Sequence, residues 1–308
     1  MRILVLGAGA VGGYFGGRLA EAGRDVTFLV RGARAALLGE SGLTVHSPLG
    51  DFHVPAVVTT AETLSGPYDL VMLTAKHYDL DAAIAAVRPA VGRDTVVLPL
   101  LNGLGHLDRL EAAFGADRVF GGVAYVGASL SAAGEVHHHN RLSGIAFGEL
   151  KGGISARTTA VAAEFAGTQV DAPGSDNIRL DMWEKFVMIS SMAGMNCLMR
   201  GNIGEIMATR DGETLMRDFL GECSSVAAAS GFAPRPAYMT QIGTMLTTKG
   251  SVNNASMHHD LGGGRRTEAD AIIGDMVARA GRFDLDTPLL RAAYCNLQVH
   301  EHRVAAQA

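Results

Sequence analysis

The chain has 308 residues, 48% of them hydrophobic and 19% charged, which excludes a mainly disordered protein. Its length suggests two domains. The net charge of −5 comes without a basic patch, so we expect neither nucleic acid nor an anionic membrane as a partner. Three scattered cysteines favour a reducing, cytoplasmic location, and no apolar run reaches the roughly 18 residues of a membrane span.

The first elements in the chain predict a βαβ unit. A short apolar segment, Arg2–Leu6, leads into a glycine-rich turn at 7–12 (GAGAVG). Apolar residues at helical spacing follow, and Gly23 stands where a helix commonly ends. Residues 25–30 (DVTFLV) then predict a second strand. Strand, turn, helix and strand fit one unit of about 30 residues.

Strands and helices continue to alternate through the first half of the chain. The pattern predicts a β-hairpin over 43–59, a strand at 70–74, a helix over 79–88, a strand at 95–100, a helix over 107–114, and strands at 119–126 and 134–150. Such alternation implies a doubly wound parallel sheet.

The second half of the chain has a different period. From about residue 154 the apolar residues recur with the 3.6-residue period of helices, over 154–166, 177–199, 204–230, 236–247, 265–281 and 287–304. We therefore predict an α/β protein: an N-terminal Rossmann-type doubly wound domain at 1–168, followed by an all-helical C-terminal domain at 169–308.

The glycine turn predicts a nucleotide site because it follows a strand and opens a helix. Gly7 permits the tight turn, Gly9 lets the backbone approach a pyrophosphate, and Gly12 lets helix and strand pack closely. The phosphates would then face the free N–H groups of the helix. The alternative is an ordinary strand–helix turn in a glycine-rich protein.

The residue after the second strand favours NADPH over NADH. Arg31 stands there, with Arg34 nearby, whereas a ribose-binding carboxylate would be expected for NAD. A guanidinium suits a 2′-phosphate in charge and geometry. The alternative is that both arginines are solvated loop residues.

Four further polar residues are candidates for the chemistry. Lys76 and Asn102 follow predicted strands, at the sheet edge where ligands bind; either is otherwise an ordinary loop residue. Lys185 lies on a largely apolar helix face, where it either extends to solvent or is a proton donor with a lowered pKa. A carboxylate such as Glu268 beside it would favour its charged form.

Together these motifs resemble the ketopantoate reductase (2-dehydropantoate 2-reductase) family over almost the whole chain. The resemblance rests on GAGAVG at 7–12, Arg31, TAK at 74–76, LNG at 101–103, WEKF at 183–186 and ASMHHDLGGGRRTEAD at 255–270. It implies NADPH-dependent reduction of 2-dehydropantoate to pantoate, in pantothenate biosynthesis, with the substrate in a cleft between the domains.

The resemblance also implies roles for single residues. Lys185 is the general acid, and Glu268 positions it and the substrate hydroxyl. Asn102 holds cofactor and substrate, Lys76 lies near the nicotinamide and the substrate, and Ser256 helps bind the carboxylate.

Three positions depart from the family pattern. Ile189 and Ala193 stand where the family usually has asparagine, and Leu101 stands where glutamine is common. The two lost amides share the helix face of Lys185, which suggests a more apolar pocket for another branched 2-oxo acid. The alternative outside enzymes is a non-catalytic NADP-binding regulatory protein.

No metal site is predicted. Alternation along a strand puts His137 and His139 on one face, but no third ligand lies nearby in sequence, so we interpret them as part of a surface hairpin. The expected partner is a small 2-oxo acid. The sequence leaves the oligomeric state open, with a homodimer as one option.

Overall fold

The structure is a computed structural model that describes residues 1–307. It divides into two compact units. The first consists of residues 1–101 and 106–181, and the second of residues 102–105 and 182–308.

The strands and helices follow in this order. The strands are β1 (Arg2–Leu6), β2 (Asp25–Leu29), β3 (Leu43–His46), β4 (Phe52–Val54), β5 (Val57–Thr59), β6 (Tyr68–Leu73), β7 (Val91–Pro99), β8 (Phe120–Leu130) and β9 (Val136–Glu149). The helices are α1 (Ala10–Glu21), α2 (Gly32–Ser41), α3 (Leu80–Val87), α4 (His106–Phe114), α5 (Ala156–Phe165), α6 (Ile178–Met199), α7 (Ile203–Met207), α8 (Gly212–Ala229), α9 (Pro236–Leu246), α10 (Ser256–Gly262), α11 (Asp275–Arg282) and α12 (Pro288–Ala305).

A five-stranded parallel sheet forms the centre of the first unit, in the order β5-β2-β1-β6-β7. Its middle strands are buried on both faces, which is why they read as unbroken apolar runs such as ILVL and LVML. This arrangement confirms the predicted Rossmann-type sheet and places the carboxyl ends of β1, β2 and β6 at one edge.

A second, four-stranded sheet has the order β4-β3-β9-β8. The predicted hairpin over 43–59 is only partly right, because β3 and β4 pair antiparallel but Val57–Thr59 pairs with β2 in the parallel sheet. The strands β8 and β9 pair with each other, and β9 joins β3. Sequence patterns give a strand's existence but not which sheet it joins.

Helix α2 was not predicted. Only Leu38 of its ten residues is buried, so the helix shows almost no periodic pattern of apolar residues in the sequence.

The second unit is helical, as predicted, with two corrections. The single helix expected over 204–230 is two helices, α7 and α8, separated by a turn and bend at residues 208–211. A Cβ on Gly212 would lie 1.9 Å from the carbonyl oxygen of Ile206, so only glycine fits where α8 begins. The helix expected over 265–281 starts later: residues 265–268 have no regular secondary structure, and a π-helical turn, Asp270–Gly274, leads into α11. Helix α10 was missed.

The compact units divide later in the chain than the predicted boundary at 168/169. Residues 169–181 stay with the first unit because they pair with β9, with bridges from Gly144 to Asp171 and from Phe147 to Gly174. The backbone N–H of Ile145 donates to Asp171 O over 2.8 Å.

Two further findings concern the helices and the cysteines. None of the helices in residues 1–307 is long and apolar enough to cross a bilayer. All three cysteines are free; Cys197 and Cys223 are buried and Cys295 is exposed.

Candidate active site

The glycine turn between β1 and α1 has the geometry of a phosphate loop. Gly7 has a φ of +90°, which an L side chain rarely adopts. A Cβ on Gly12 would lie 2.1 Å from Gly7 O and 2.4 Å from Thr74 Oγ1, so only glycine lets α1 approach the strands. At Gly9, by contrast, a Cβ would meet nothing within 4 Å, which leaves open space in front of the turn.

The N-terminus of α1 faces this open space with unshared N–H groups. Gly9 is the N-cap and provides no side-chain hydrogen bond, and the first turn of α1 has no acidic residue. A helix N-terminus without a carboxylate attracts an anion through its N–H groups and dipole. These residues therefore fit the pyrophosphate of a dinucleotide.

The two arginines after β2 do different things. Arg31 is exposed at the carboxyl end of the strand, where it is available to a 2′-phosphate. Arg34 is half-buried and donates to Ala8 O over 2.7 Å and to Gly134 O, also over 2.7 Å. Arg34 thus connects the glycine turn to the loop at Gly134, whereas Arg31 is exposed at the end of β2.

Lys76 also belongs to the first unit. It is half-buried three residues after the end of β6 and precedes a short 3₁₀ turn, His77–Asp79. The backbone N–H of Asp79 donates to Lys76 O over 2.9 Å, which fixes the backbone at the sheet edge. Lys76 therefore lies at the carboxyl edge of the parallel sheet, as predicted from the sequence.

In the second unit, the WEKF motif holds α6 in place around Lys185. Trp183 stacks on Phe232 with ring centroids 5.7 Å apart, and the Arg279 guanidinium lies 5.1 Å from the Trp183 ring centroid. Glu184 is 1% exposed and accepts hydrogen bonds from the backbone N–H of Arg235 (2.8 Å) and from its Nε (2.9 Å). These contacts fix the register of the helix turn that carries the lysine.

Lys185 is half-buried on α6. Burial lowers the pKa of its ammonium to about 8, and the negative charge of Glu268 opposes that shift. An ammonium with a pKa near neutrality is charged at pH 7 and transfers its proton more readily than an ordinary lysine.

Glu268 is held at the start of the π-helical turn. The residue is 7% exposed. Its neighbour Thr267 donates to Glu301 Oε1 from the backbone N–H (2.9 Å) and from Oγ1 (2.7 Å). The backbone N–H of Ile272 donates to Glu268 O over 3.1 Å, and π-helical turns are frequent at functional sites. The backbone of Glu268 is therefore fixed from both sides.

The LNG motif packs against the same π-helical turn. Gly103 has a φ of +79°, and a Cβ there would lie 2.5 Å from Ala271 O. Only glycine permits this close approach. The preceding residue, the half-buried Asn102, belongs to the second unit as well. Asn102, Lys185 and Glu268 therefore belong to one compact unit, although they are far apart in sequence.

Ser256 is exposed at the first residue of α10. The loop before it is tied to α6 through Asn196, which is fully buried. The Asn196 side chain donates to Gly201 O over 2.8 Å and accepts from the backbone N–H of Ala255 over 3.0 Å. Its amide is committed to this loop, so it does not replace the asparagines absent at 189 and 193.

Those two positions are apolar on the helix face of Lys185. Ile189 is half-buried and Ala193 is 1% exposed. Neither side chain can form a hydrogen bond to a substrate hydroxyl.

Two residues with buried, unbonded polar atoms were missed from the sequence. Asn254 Oδ1 and both ring nitrogens of His106 are buried and have no hydrogen-bond partner within residues 1–307. Burial lowers the pKa of His106 to about 3, so the ring is neutral. Asn254 lies two residues before Ser256 and His106 lies three after Gly103, but nothing in the sequence marks their polar atoms as buried and unbonded. Unmet buried polar atoms of this kind are expected where a ligand completes the bonding.

Comparison with known proteins agrees with this arrangement. Two family models match: one described as "Ketopantoate reductase PanE/ApbA" over residues 3–152, and its C-terminal counterpart over residues 177–301. A Bacillus subtilis protein named "Uncharacterized oxidoreductase YkpB" is 36% identical over 98% of this chain and 99% of its own length.

Solved structures share the whole fold. A 2-dehydropantoate 2-reductase from Geobacter metallireducens is 31% identical with a TM-score of 0.88, over 97% of this chain and 99% of that one. A D-mandelate dehydrogenase solved with NADH and anilino(oxo)acetate is 22% identical with a TM-score of 0.88, over 99% of both chains. At that identity the second likeness concerns the fold alone.

Proposed function

Because the chain belongs to the ketopantoate reductase family, and so to the NADP-dependent oxidoreductases, we propose that it reduces the ketone of a 2-oxo acid, with 2-dehydropantoate as the first candidate substrate. The observation that carries this proposal is Lys185, a half-buried lysine whose pKa is lowered to about 8 beside Glu268. The product would be pantoate, which would place the reaction in pantothenate biosynthesis.

The residues of the first unit fit the cofactor. Gly7, Gly9 and Gly12 shape the turn for the pyrophosphate, and Arg31 is available for the 2′-phosphate that distinguishes NADPH. We propose Lys76 as the contact at the nicotinamide end. NADPH, when bound, supplies the hydride.

The residues of the second unit act on the substrate. Lys185 donates a proton to the ketone oxygen, where negative charge develops during reduction, and stabilises that charge before the transfer. Glu268 keeps the ammonium charged and oriented. We propose that Asn102 donates its amide hydrogens to substrate and cofactor and that Ser256 binds the substrate carboxylate.

A second candidate substrate is favoured by Ile189 and Ala193. A pocket that hydrogen-bonds a substrate hydroxyl discriminates against analogues that lack it. An apolar pocket forms no such bond and so does not discriminate in this way. These side chains therefore suit a branched 2-oxo acid without the hydroxyl of ketopantoate.

The proposed reaction also suggests a setting. We propose a reducing cytoplasm, which supplies NADPH and keeps thiols such as those of Cys197, Cys223 and Cys295 free. A homodimer is the assembly to test, by light scattering of the purified protein.

The role of Lys185 is tested by Lys185→Met. We expect kcat for NADPH oxidation with a 2-oxo acid to fall at least about 100-fold, the usual contribution of a general acid. NADPH binding, followed by its fluorescence, should be unchanged. Lys249→Met is the matched control, because Lys249 is exposed in the same unit. A Lys185→Met enzyme that retains wild-type kcat would refute the assignment.

A further inference from the structure

Three side chains that can bind a metal converge on the surface of the four-stranded sheet in the first unit. His46 ends β3, His137 is the second residue of β9, and Glu135 directly precedes β9. The parallel pairing of β3 with β9 sets His46 opposite His137, and their ring centroids are 5.0 Å apart. Glu135 lies two residues before His137, so it faces the same side of the sheet.

The distances between ligand atoms suit one ion. Glu135 Oε2 lies 3.6 Å from His137 Nε2 and 3.9 Å from His46 Nε2, and all three ligand atoms lie within 4.8 Å of one another. Tetrahedral zinc with bonds of about 2.0–2.2 Å separates its ligand atoms by about 3.4 Å. Small side-chain rotations therefore bring all three atoms onto one ion.

A fourth residue orients the His46 ring. Asp51 Oδ2 lies 2.9 Å from His46 Nδ1, and its Oδ1 accepts from the backbone N–H of Ser47 over 2.7 Å. A carboxylate only accepts, so Nδ1 carries the proton and the lone pair of Nε2 points towards the cluster. A carboxylate on the outer nitrogen of a ligating histidine is the usual support of a metal site.

The loop that carries Glu135 is also fixed. The backbone N–H of Ser131 donates to Glu135 O over 2.9 Å, and Arg34 Nη1 donates to Gly134 O over 2.7 Å. The three ligand side chains remain 41–42% exposed, which gives an ion access and leaves room for water as a further ligand.

We propose that His46, Glu135 and His137 bind a divalent transition-metal ion, best matched by Zn²⁺, with Asp51 orienting His46. Two imidazoles and one carboxylate form a donor set that zinc accepts. The ion would cross-link β3 to β9. This site is separate from the proposed reductase chemistry and departs from the sequence prediction of no metal, since strand pairing supplies the ligand that sequence spacing does not show.

The alternative is that Glu135 only forms exposed ion pairs with the two histidines, which contribute little to stability. Titration of the untagged protein with CoCl₂ and ZnCl₂ separates the two cases, with visible absorption for Co²⁺ and calorimetry for Zn²⁺. We expect one equivalent to bind. His137→Gln should abolish binding, and Asp51→Asn should weaken it about 10–100-fold.

The matched control is His139→Gln, because His139 is an exposed histidine on the same strand that contacts Ser129 (2.8 Å) rather than the cluster. Its metal affinity should equal that of the wild type. Absence of binding at millimolar metal would overturn the proposal. So would equal losses in His137→Gln and His139→Gln, which would indicate non-specific binding to a histidine-rich strand.

Discussion

At the scale of single residues, the charge of Lys185 is set by two opposing effects. Burial lowers the pKa of the ammonium to about 8, while the carboxylate of Glu268 raises it. Because the protonated form is the proton donor, the rate of reduction should fall as the pH rises through about 8, by about tenfold per pH unit.

Glu268→Gln tests this coupling. The substitution removes the charge that favours the ammonium, so the pKa of Lys185 should fall and the descending limb of the pH–rate profile should move to lower pH. Profiles of kcat/KM from pH 5 to 10 for both enzymes provide the measurement. An unmoved limb would mean that Glu268 does not act through Lys185.

His106 makes the folded protein sensitive to acid. Its pKa is lowered to about 3 in the folded chain, against about 6.5 unfolded, so between these values the unfolded chain binds more protons and stability falls as the pH falls. Unfolding by urea at pH 7.5 and 5 should show this residue destabilising the wild type by about 2 kcal/mol at the lower pH.

His106→Leu should lose that part of the pH dependence. The control is His139→Gln, an exposed histidine that should leave the dependence unchanged. Equal pH dependence in the wild type and His106→Leu would show that the folded protein does not lower the pKa of this ring.

At the scale of elements, one glycine allows the segment carrying Asn102 to pack against the π-helical turn next to Glu268. Gly103→Ala introduces strain at a φ of +79° and a clash with Ala271 O. It should cost at least about 1–2 kcal/mol of unfolding free energy and raise KM by displacing Asn102.

Gly221→Ala is the matched control for that substitution. Gly221 is an exposed residue inside α8 with nothing within 4 Å of its Cβ position, so alanine should stabilise the helix by about 1 kcal/mol. Urea unfolding of both variants gives the comparison. A Gly103→Ala protein as stable as the wild type would contradict the close approach.

The sequence predicts best the elements whose pattern is local. The strand–glycine–helix unit of β1 and α1 follows from an apolar run and three glycines, and the structure shows the geometric reason for Gly7 and Gly12. Helix α2 has only one buried residue, so its sequence contains no helical repeat of apolar residues that could predict it. Which of the two sheets β5 joins depends on pairing with strands distant in sequence, which a local pattern does not encode.

The same distinction holds for the candidate site. Lys185 could be singled out because it interrupts an apolar helix face, but its coupling to Glu268 depends on how distant segments pack. Asn254 and His106 were missed because nothing in sequence distinguishes a buried unbonded polar atom from a solvated one. His46 was not connected with His137 in the sequence for a related reason, since strand pairing alone brings the two together.

At the scale of the whole molecule, the chain combines a dinucleotide-type unit with a helical unit that carries Lys185, the proposed proton donor. The glycine turn and Arg31 belong to the first, and Asn102, Lys185 and Glu268 to the second. A protein that only sensed NADPH would need the first set alone. The residues of the second unit are therefore the reason to expect reduction rather than NADPH binding alone.

NADPH oxidation by the purified protein tests that claim most directly, with ketopantoate, its analogue lacking the hydroxyl, and a panel of straight and branched 2-oxo acids. We predict turnover of at least one branched 2-oxo acid, with the hydroxyl conferring less than about tenfold preference because Ile189 and Ala193 cannot bond to it. NADPH binding without turnover of any 2-oxo acid would contradict the account and favour a regulatory role.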